Sequence, residues 1–129
     1  MNKSIYILYV EDNEGDVELL KMCFERYCPT LNIVLDVAET IEDGKALFQF
    51  NKHDVAFIDW NLPDGEGIEI AEFIRADHNS FPIFFLSGVF TDGHLSIAKK
   101  YSPTACLEKN YNKYFTEQVL HKLNCELRI

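Results

Sequence analysis

The chain has 129 residues, 47% hydrophobic and 26% charged, the balance of one soluble globular domain long enough to bury a core. Its formal net charge is −9, and the basic residues are scattered, with Lys99-Lys100 the only adjacent pair. That argues against direct nucleic-acid binding and leaves a cation or a basic partner surface as the charge-complementary ligand.

Short apolar runs alternate with segments of helical period. "IYILYV" (5–10) is β-branched and aromatic and predicts a first strand, with Glu11 and Asp12 directly after it. Val17, Leu20, Phe24 and Tyr27 then repeat at helical spacing until Pro29 closes the segment. "LNIVLDV" (31–37) predicts the second strand. Thr40, with an acid at the third position after it, predicts a helix N-cap ahead of Ala46, Leu47 and Phe50. "VAFI" (55–58) predicts the third strand and runs into Asp59, and "PDGEG" opens a helix marked by Ile70, Ala71 and Ile74. "PIFFL" (82–86) predicts the fourth strand, ahead of Ser87 and of a helix marked by Ile97, Ala98 and Tyr101. "TACL" (104–107) predicts the fifth, with Lys109 shortly after it. Phe115, Val119, Leu120, Leu123 and Leu127 give the last helix its apolar stripe.

Strands that are apolar throughout imply a parallel sheet with helices on both faces. The expected fold is therefore α/β, a (βα)5 doubly wound parallel sheet with the flavodoxin-like strand order 2-1-3-4-5. No repeat, low-complexity tract or linker interrupts the chain, so one domain over 1–129 is expected. Only "CELRI" follows the last helical stripe, so no output domain is expected either. No apolar stretch is long enough to enter and span a bilayer, and "MNKSIYILYVEDNEGD" meets acids too soon for a signal peptide. A cytoplasmic location is the expectation. Cys23, Cys28, Cys106 and Cys125 show no C-x-x-C spacing and predict reduced, structural thiols. His53, His78, His94 and His121 are dispersed and predict solvated or second-layer side chains rather than metal ligands.

Sheets of this type bind ligands outside the carboxyl ends of their strands, at the switch in strand order. Glu11, Asp12, Asp59, Ser87 and Lys109 all fall there, while the second strand, at the far edge, offers only "AET". Taken singly each has a plain reading: Asp12 as a cap for the helix starting near Glu14, Ser87 as a turn hydroxyl, Lys109 as an exposed lysine. Taken together they form a chemical set. Three carboxylates in one pocket repel, and burial raises the cost of ionising them. A divalent cation resolves that conflict, and an all-oxygen set suits Mg2+, with Mn2+ as its substitute. Lys109 adds a point positive charge. Asp59 is then placed to attack a phosphoryl donor and become an aspartyl phosphate, with Ser87 donating its hydroxyl to the new phosphoryl oxygens.

"ILYVEDNEGD", "DVAFIDWNLPDGEG", "FFLSG" and "LEKN" resemble the receiver domain of two-component response regulators over essentially the whole chain, in its single-domain, chemotaxis-regulator-like form. The resemblance implies that Asp59 is the phosphoacceptor. It implies that Asp12 and Asp59 ligate Mg2+ directly, Glu11 through water and Asn61 through its backbone carbonyl, and that Ser87 and Lys109 hold the phosphoryl group. The implied partners are a histidine kinase or histidine phosphotransfer protein as donor and an unknown downstream protein. That protein would read a shift in the face made by the fourth helix, fifth strand and fifth helix. A monomer or a phosphorylation-dependent dimer is implied, with no dedicated enzymatic activity beyond assisting the domain's own phosphotransfer and dephosphorylation.

Two positions depart from the family pattern. Cys106 stands where receivers carry a Tyr or Phe whose ring turns inward on phosphorylation. Asn110 follows Lys109 where proline is usual, so a trans peptide bond is predicted there. These departures support an alternative, a receiver-fold protein-interaction module that acts independently of phosphorylation.

Two other readings fail on residue identity. An EF-hand loop starting at Asp59 would put Asp64 where glycine is required and Ile70 where a bidentate glutamate belongs. An FMN carrier of the same fold needs a phosphate-cradling loop after the first strand, and "EDNEGD" repels phosphate.

Overall fold

In the computed structural model the described residues are 4–128; Met1–Lys3, part of the start read above, and Ile129, the last residue of "CELRI", lie outside them. In chain order the elements are β1 (Ser4–Val10), α1 (Glu14–Tyr27), β2 (Asn32–Ala38), α2 (Ile41–Leu47), β3 (Val55–Asp59) and the short strands β4 (Asn61–Leu62) and β5 (Gly65–Glu66). They continue with α3 (Ile68–Arg75), β6 (Ile83–Ser87), α4 (Asp92–Lys99), β7 (Thr104–Glu108) and α5 (Lys113–Leu127). Five parallel strands pair in the order β2-β1-β3-β6-β7, the expected 2-1-3-4-5 once the β4–β5 hairpin is set aside.

Alternation along each strand sends apolar side chains to opposite faces and builds two cores. Ile5, Ile7, Tyr9, Val55, Phe57, Phe84 and Leu86 pack under α1 and α5, against Leu20, Phe24, Val119 and Leu123. Leu8, Val10, Ala56, Ile58, Ile83 and Phe85 pack under α2, α3 and α4, against Ile41, Ile70, Ile74 and Ala98. Every residue of β3 and β6 is buried, so the central strands show the unbroken apolar runs of a sheet covered on both sides.

The helix starts follow side-chain caps. Thr40 accepts a hydrogen bond from the Asp43 N–H as expected, and Asn112 caps α5 through the Phe115 N–H. The cap of α1 is Asn13, which accepts from the Asp16 N–H, and not Asp12. Two helical patterns overran. The helix α2 stops at Leu47, and Phe50 instead lies flat on His78 with ring centroids 4.0 Å apart. Tyr101 lies beyond α4 and donates its hydroxyl proton to Glu72 Oε1. His53, expected to be solvated or second-layer, is a buried and fully partnered side chain. Its Nδ1 accepts from the Gln49 N–H, which leaves Nε2 to donate to Asp36 Oδ2 at 2.8 Å.

The β4–β5 hairpin, absent from the sequence reading, closes "NLPDGE" back on the end of β3. Its return is fixed by Gly67, whose N–H donates to the Trp60 carbonyl at 2.7 Å. A Cβ at Gly67 would stand 2.2 Å from the Asp59 carbonyl oxygen and 2.6 Å from Ile58 Cγ2, so only glycine lets the chain pass. Gly67→Ala must push the hairpin off the end of β3. We expect a loss of about 1–3 kcal/mol in urea denaturation, the usual cost of overpacking.

Candidate functional site

Three strands end in the polar groups of one pocket. Glu11 follows β1 and its N–H donates to the Ala38 carbonyl at 2.8 Å, which ties the β1 exit to β2. Asp59 is the last residue of β3, in register with Leu86, and the next residue, Trp60, donates its N–H to the Leu86 carbonyl. Ser87 closes β6, and its carbonyl accepts from the Lys109 N–H at 2.8 Å, which holds the end of β7 against it. These backbone bonds set where the side chains emerge.

Glu11, Asp12 and Asp59 each present a carboxylate oxygen within 4.8 Å of the others. Glu11 and Asp59 are buried, while Asp12 is exposed. Because Asn13 takes the capping role, the Asp12 carboxylate is left for the pocket. Lys109 also reaches these acids. Its Nζ donates to Asp59 Oδ2 at 3.1 Å and to Asp16 Oδ2 at 3.0 Å, and lies 2.7 Å from Glu11 Oε1. The contact with Glu11 is an ion pair without hydrogen-bond alignment, and Oε1 has no donor among the described residues.

The electrostatics follow from this crowding. Burial, with Asp59 next in importance, pushes the Glu11 carboxyl up to about 7 against the pull of Lys109. Burial alone would depress the Lys109 ammonium, but Glu11, Asp16 and Asp59 outweigh it and hold it above the ordinary lysine range. One lysine thus serves several acids, and the cluster remains short of positive charge. Oxygen donors, excess negative charge and an exposed rim at Asp12 fit a hard divalent cation. They do not fit zinc or copper, which favour nitrogen and sulfur.

Asp16 is the residue the sequence reading missed. The available cue was its place three residues after the N-cap Asn13, which puts it in the first turn of α1, facing back over the strand ends. Asp64 was also missed. Its carboxylate accepts from the Ile41 and Glu42 N–H groups at 2.9 and 3.1 Å, so the hairpin caps α2, and those backbone bonds hold its pKa below the usual range. Asn61 is exposed, and its N–H donates to Asp59 Oδ1 at 3.2 Å. The indole of Trp60, the single tryptophan, is buried against Phe85, Phe90 and His94 and donates to Glu66 Oε2.

The two unusual positions are equally plain. Cys106 is half-buried against the core beneath α4, and burial raises its thiol pKa, which disfavours the thiolate. Among the described residues the cis peptide is Ser102–Pro103, so the bond from Lys109 to Asn110 is trans as predicted. Tyr111 follows in a left-handed conformation (φ 47°). Its hydroxyl and that of Tyr9 are buried without hydrogen-bond partners among the described residues, and burial raises the pKa of both.

The profile of the response regulator receiver domain matches residues 7–121. The photosynthetic apparatus regulatory protein RegA of Cereibacter sphaeroides is 28% identical over 103 residues, 80% of this chain and 54% of that protein. The sensor histidine kinase AtsR of Burkholderia thailandensis is 34% identical over 74 residues, 57% of this chain and 12% of the kinase. The chain therefore spans about half of one curated relative and a small part of the other. Among solved structures, the non-phosphorylated HemR receiver domain from Leptospira biflexa superposes with a TM-score of 0.78 at 26% identity, covering 97% of this chain and 95% of that one.

Two outcomes follow for protein kept in chelator. A carboxyl whose folded pKa is raised stabilises while protonated, in full below its ordinary value of 4.5, and that contribution is lost as pH rises through about 7. Unfolding free energy should carry a component that falls over this window, and Glu11→Gln should remove it. Lys109→Met leaves buried acids unpaired and should cost about 3 kcal/mol at neutral pH in the same denaturation experiment.

Proposed function

The chain belongs to the response regulator receiver domain family, and from that premise we propose that it is a phosphoacceptor in two-component or phosphorelay signalling. Asp59 takes the phosphoryl group. The observation that carries this reading is the Asp59 carboxylate, buried at the end of β3, 3.1 Å from Lys109 Nζ and grouped with Glu11 and Asp12.

The chemistry is a displacement at phosphorus. An Asp59 oxygen forms the new P–O bond as the P–N bond of a phosphohistidine on the donor breaks, and the imidazole leaves with its electron pair. Lys109 stays in the pocket and pairs with the transferred oxygens, while the Ser87 hydroxyl, at the next strand end, donates to them. Asp12 and Asp59 would hold Mg2+ directly, Glu11 through water and Asn61 through its carbonyl. When bound, the ion supplies charge neutralisation for the incoming phosphoryl group. The donor is a histidine kinase or histidine phosphotransfer protein, the site of action is the cytoplasm, and the downstream partner is a protein. The domain has no separate enzymatic role.

Cys106 favours a second reading. Its small side chain already rests against the core, so the face made by α4, β7 and α5 lacks the ring that would signal phosphorylation. A module that binds its partner without phosphorylation fits that feature, although it leaves the Lys109–Asp59 pair without a role.

Intact-protein mass after incubation with acetyl phosphate and Mg2+ separates the two. A gain of one phosphoryl group, abolished by EDTA and absent from Asp59→Asn, supports the phosphoacceptor. The absence of any adduct, also with a phosphorylated kinase domain as donor, supports the phosphorylation-independent module. Mg2+ binding should also change the emission of Trp60, which adjoins Asp59, and Asp12→Asn should weaken that titration at least about tenfold, the equivalent of some 1.4 kcal/mol.

A further inference from the structure

We propose that His121 and Cys125 are two ligands of a zinc site, and that a second copy of the chain supplies the other two. The proposal is independent of the phosphoacceptor reading. Both residues are exposed in the last turns of α5, four positions apart and therefore one above the other on the helix surface. The buried stripe of the same helix, Phe115, Val119 and Leu123, faces the core and leaves them no packing role.

Their separation fits the ion. Cys125 Sγ lies 3.8 Å from His121 Nε2. Two ligands of one tetrahedral zinc, with bonds of about 2.3 Å to sulfur and 2.0–2.1 Å to nitrogen, stand about 3.6 Å apart. The pair is thus at ligand spacing before any metal arrives, held by a regular helix rather than a loop. One imidazole nitrogen and one sulfur select zinc over Mg2+, which requires oxygen. Without metal the same geometry is a weak thiol–imidazole hydrogen bond.

A tetrahedral ion needs four ligands. Among the described residues, the group of three or more metal-binding side chains within reach of one ion is Glu11, Asp12 and Asp59, so the chain does not complete this site by itself. A two-fold axis through the ion brings the same two residues from a second copy and makes a Cys2His2 set. Two thiolates then balance the zinc charge, and two thiol protons are released per ion bound. Local charge permits the approach. Lys122 and Arg128 flank Cys125 at three residues on either side, and Glu117 and Glu126 offset them, unlike the chain as a whole at −9. Zinc at this contact therefore joins two acidic molecules along a stretch of helix whose own charges balance.

The test uses the full chain, reduced with a phosphine and freed of metal, titrated with ZnCl2 and followed by sedimentation velocity. An Asp12→Asn background removes one acid of the strand-end pocket, so zinc held there is not mistaken for zinc on α5. The expected result is a monomer that becomes a dimer, saturating at one zinc per two chains and reversed by EDTA. It should be lost in His121→Ala and in Cys125→Ser and not reproduced by Mg2+. Co2+ in place of zinc should give a thiolate charge-transfer band that Cys125→Ser removes. Circular dichroism checks that both variants keep their helices, which their exposure predicts. Absence of a zinc-dependent dimer, a dimer that survives both substitutions, or one zinc bound per monomer would each overturn the proposal.

Discussion

The charge balance at the strand ends rests on one ammonium group that sits among several carboxylates. Lys109 arrives on the edge strand β7, reaches across the end of β6, and meets Glu11 from β1, Asp59 from β3 and Asp16 from α1. The parallel sheet itself has no requirement for this. It would be as well paired with apolar strand ends, and replacing a buried ionic cluster with hydrophobic groups often stabilises a protein. The arrangement is instead a standing imbalance, more acid than base in a place largely closed to water. It makes the pocket receptive to positive charge.

The surrounding backbone keeps that imbalance in register. The hairpin after β3 folds back through Gly67, sends Asp64 to the start of α2 and leaves Asn61 donating to Asp59. Asp59 is therefore constrained from its own strand, from the returning loop and from Lys109. Few side-chain rotamers satisfy all three. Constraint of this kind fixes where the Asp59 oxygens lie, and every group that provides it lies within a few residues of a strand end.

Much of this was legible in the sequence. Apolar runs of strand length gave all five strands of the main sheet within one or two residues, most plainly β3 and β6, which are buried on both faces. Asp59 and Lys109 stood out as charges placed where the topology brings strand ends together. What escaped was decided by geometry over short distances. Asp16 looks like any acid in a first helical turn until the helix direction is known. Asn13 rather than Asp12 took the cap, a choice between neighbours of nearly equal propensity. The helix α2 ends at Leu47, and Phe50, three residues on, stacks on His78, a contact that no sequence period reveals. A two-residue strand pair such as β4–β5 leaves no periodicity to detect.

The strand order also bears on how the molecule is made. Since β1 lies between β2 and β3, the subsheet β2-β1-β3 is complete once the chain has been synthesised through Asp59. At that stage Glu11, Asp12, Asp16 and Asp59 are all present, and Lys109 lies 50 residues further along the chain from Asp59. The acids of the strand ends are thus synthesised before Lys109, the lysine that pairs with them in the folded domain. Until β6 and β7 add on, protonation, solvent or a cation from the medium is what can offset such a cluster of acids. The oxygen donors whose chemistry suits a divalent cation are thus in place along the chain before the lysine that pairs with them.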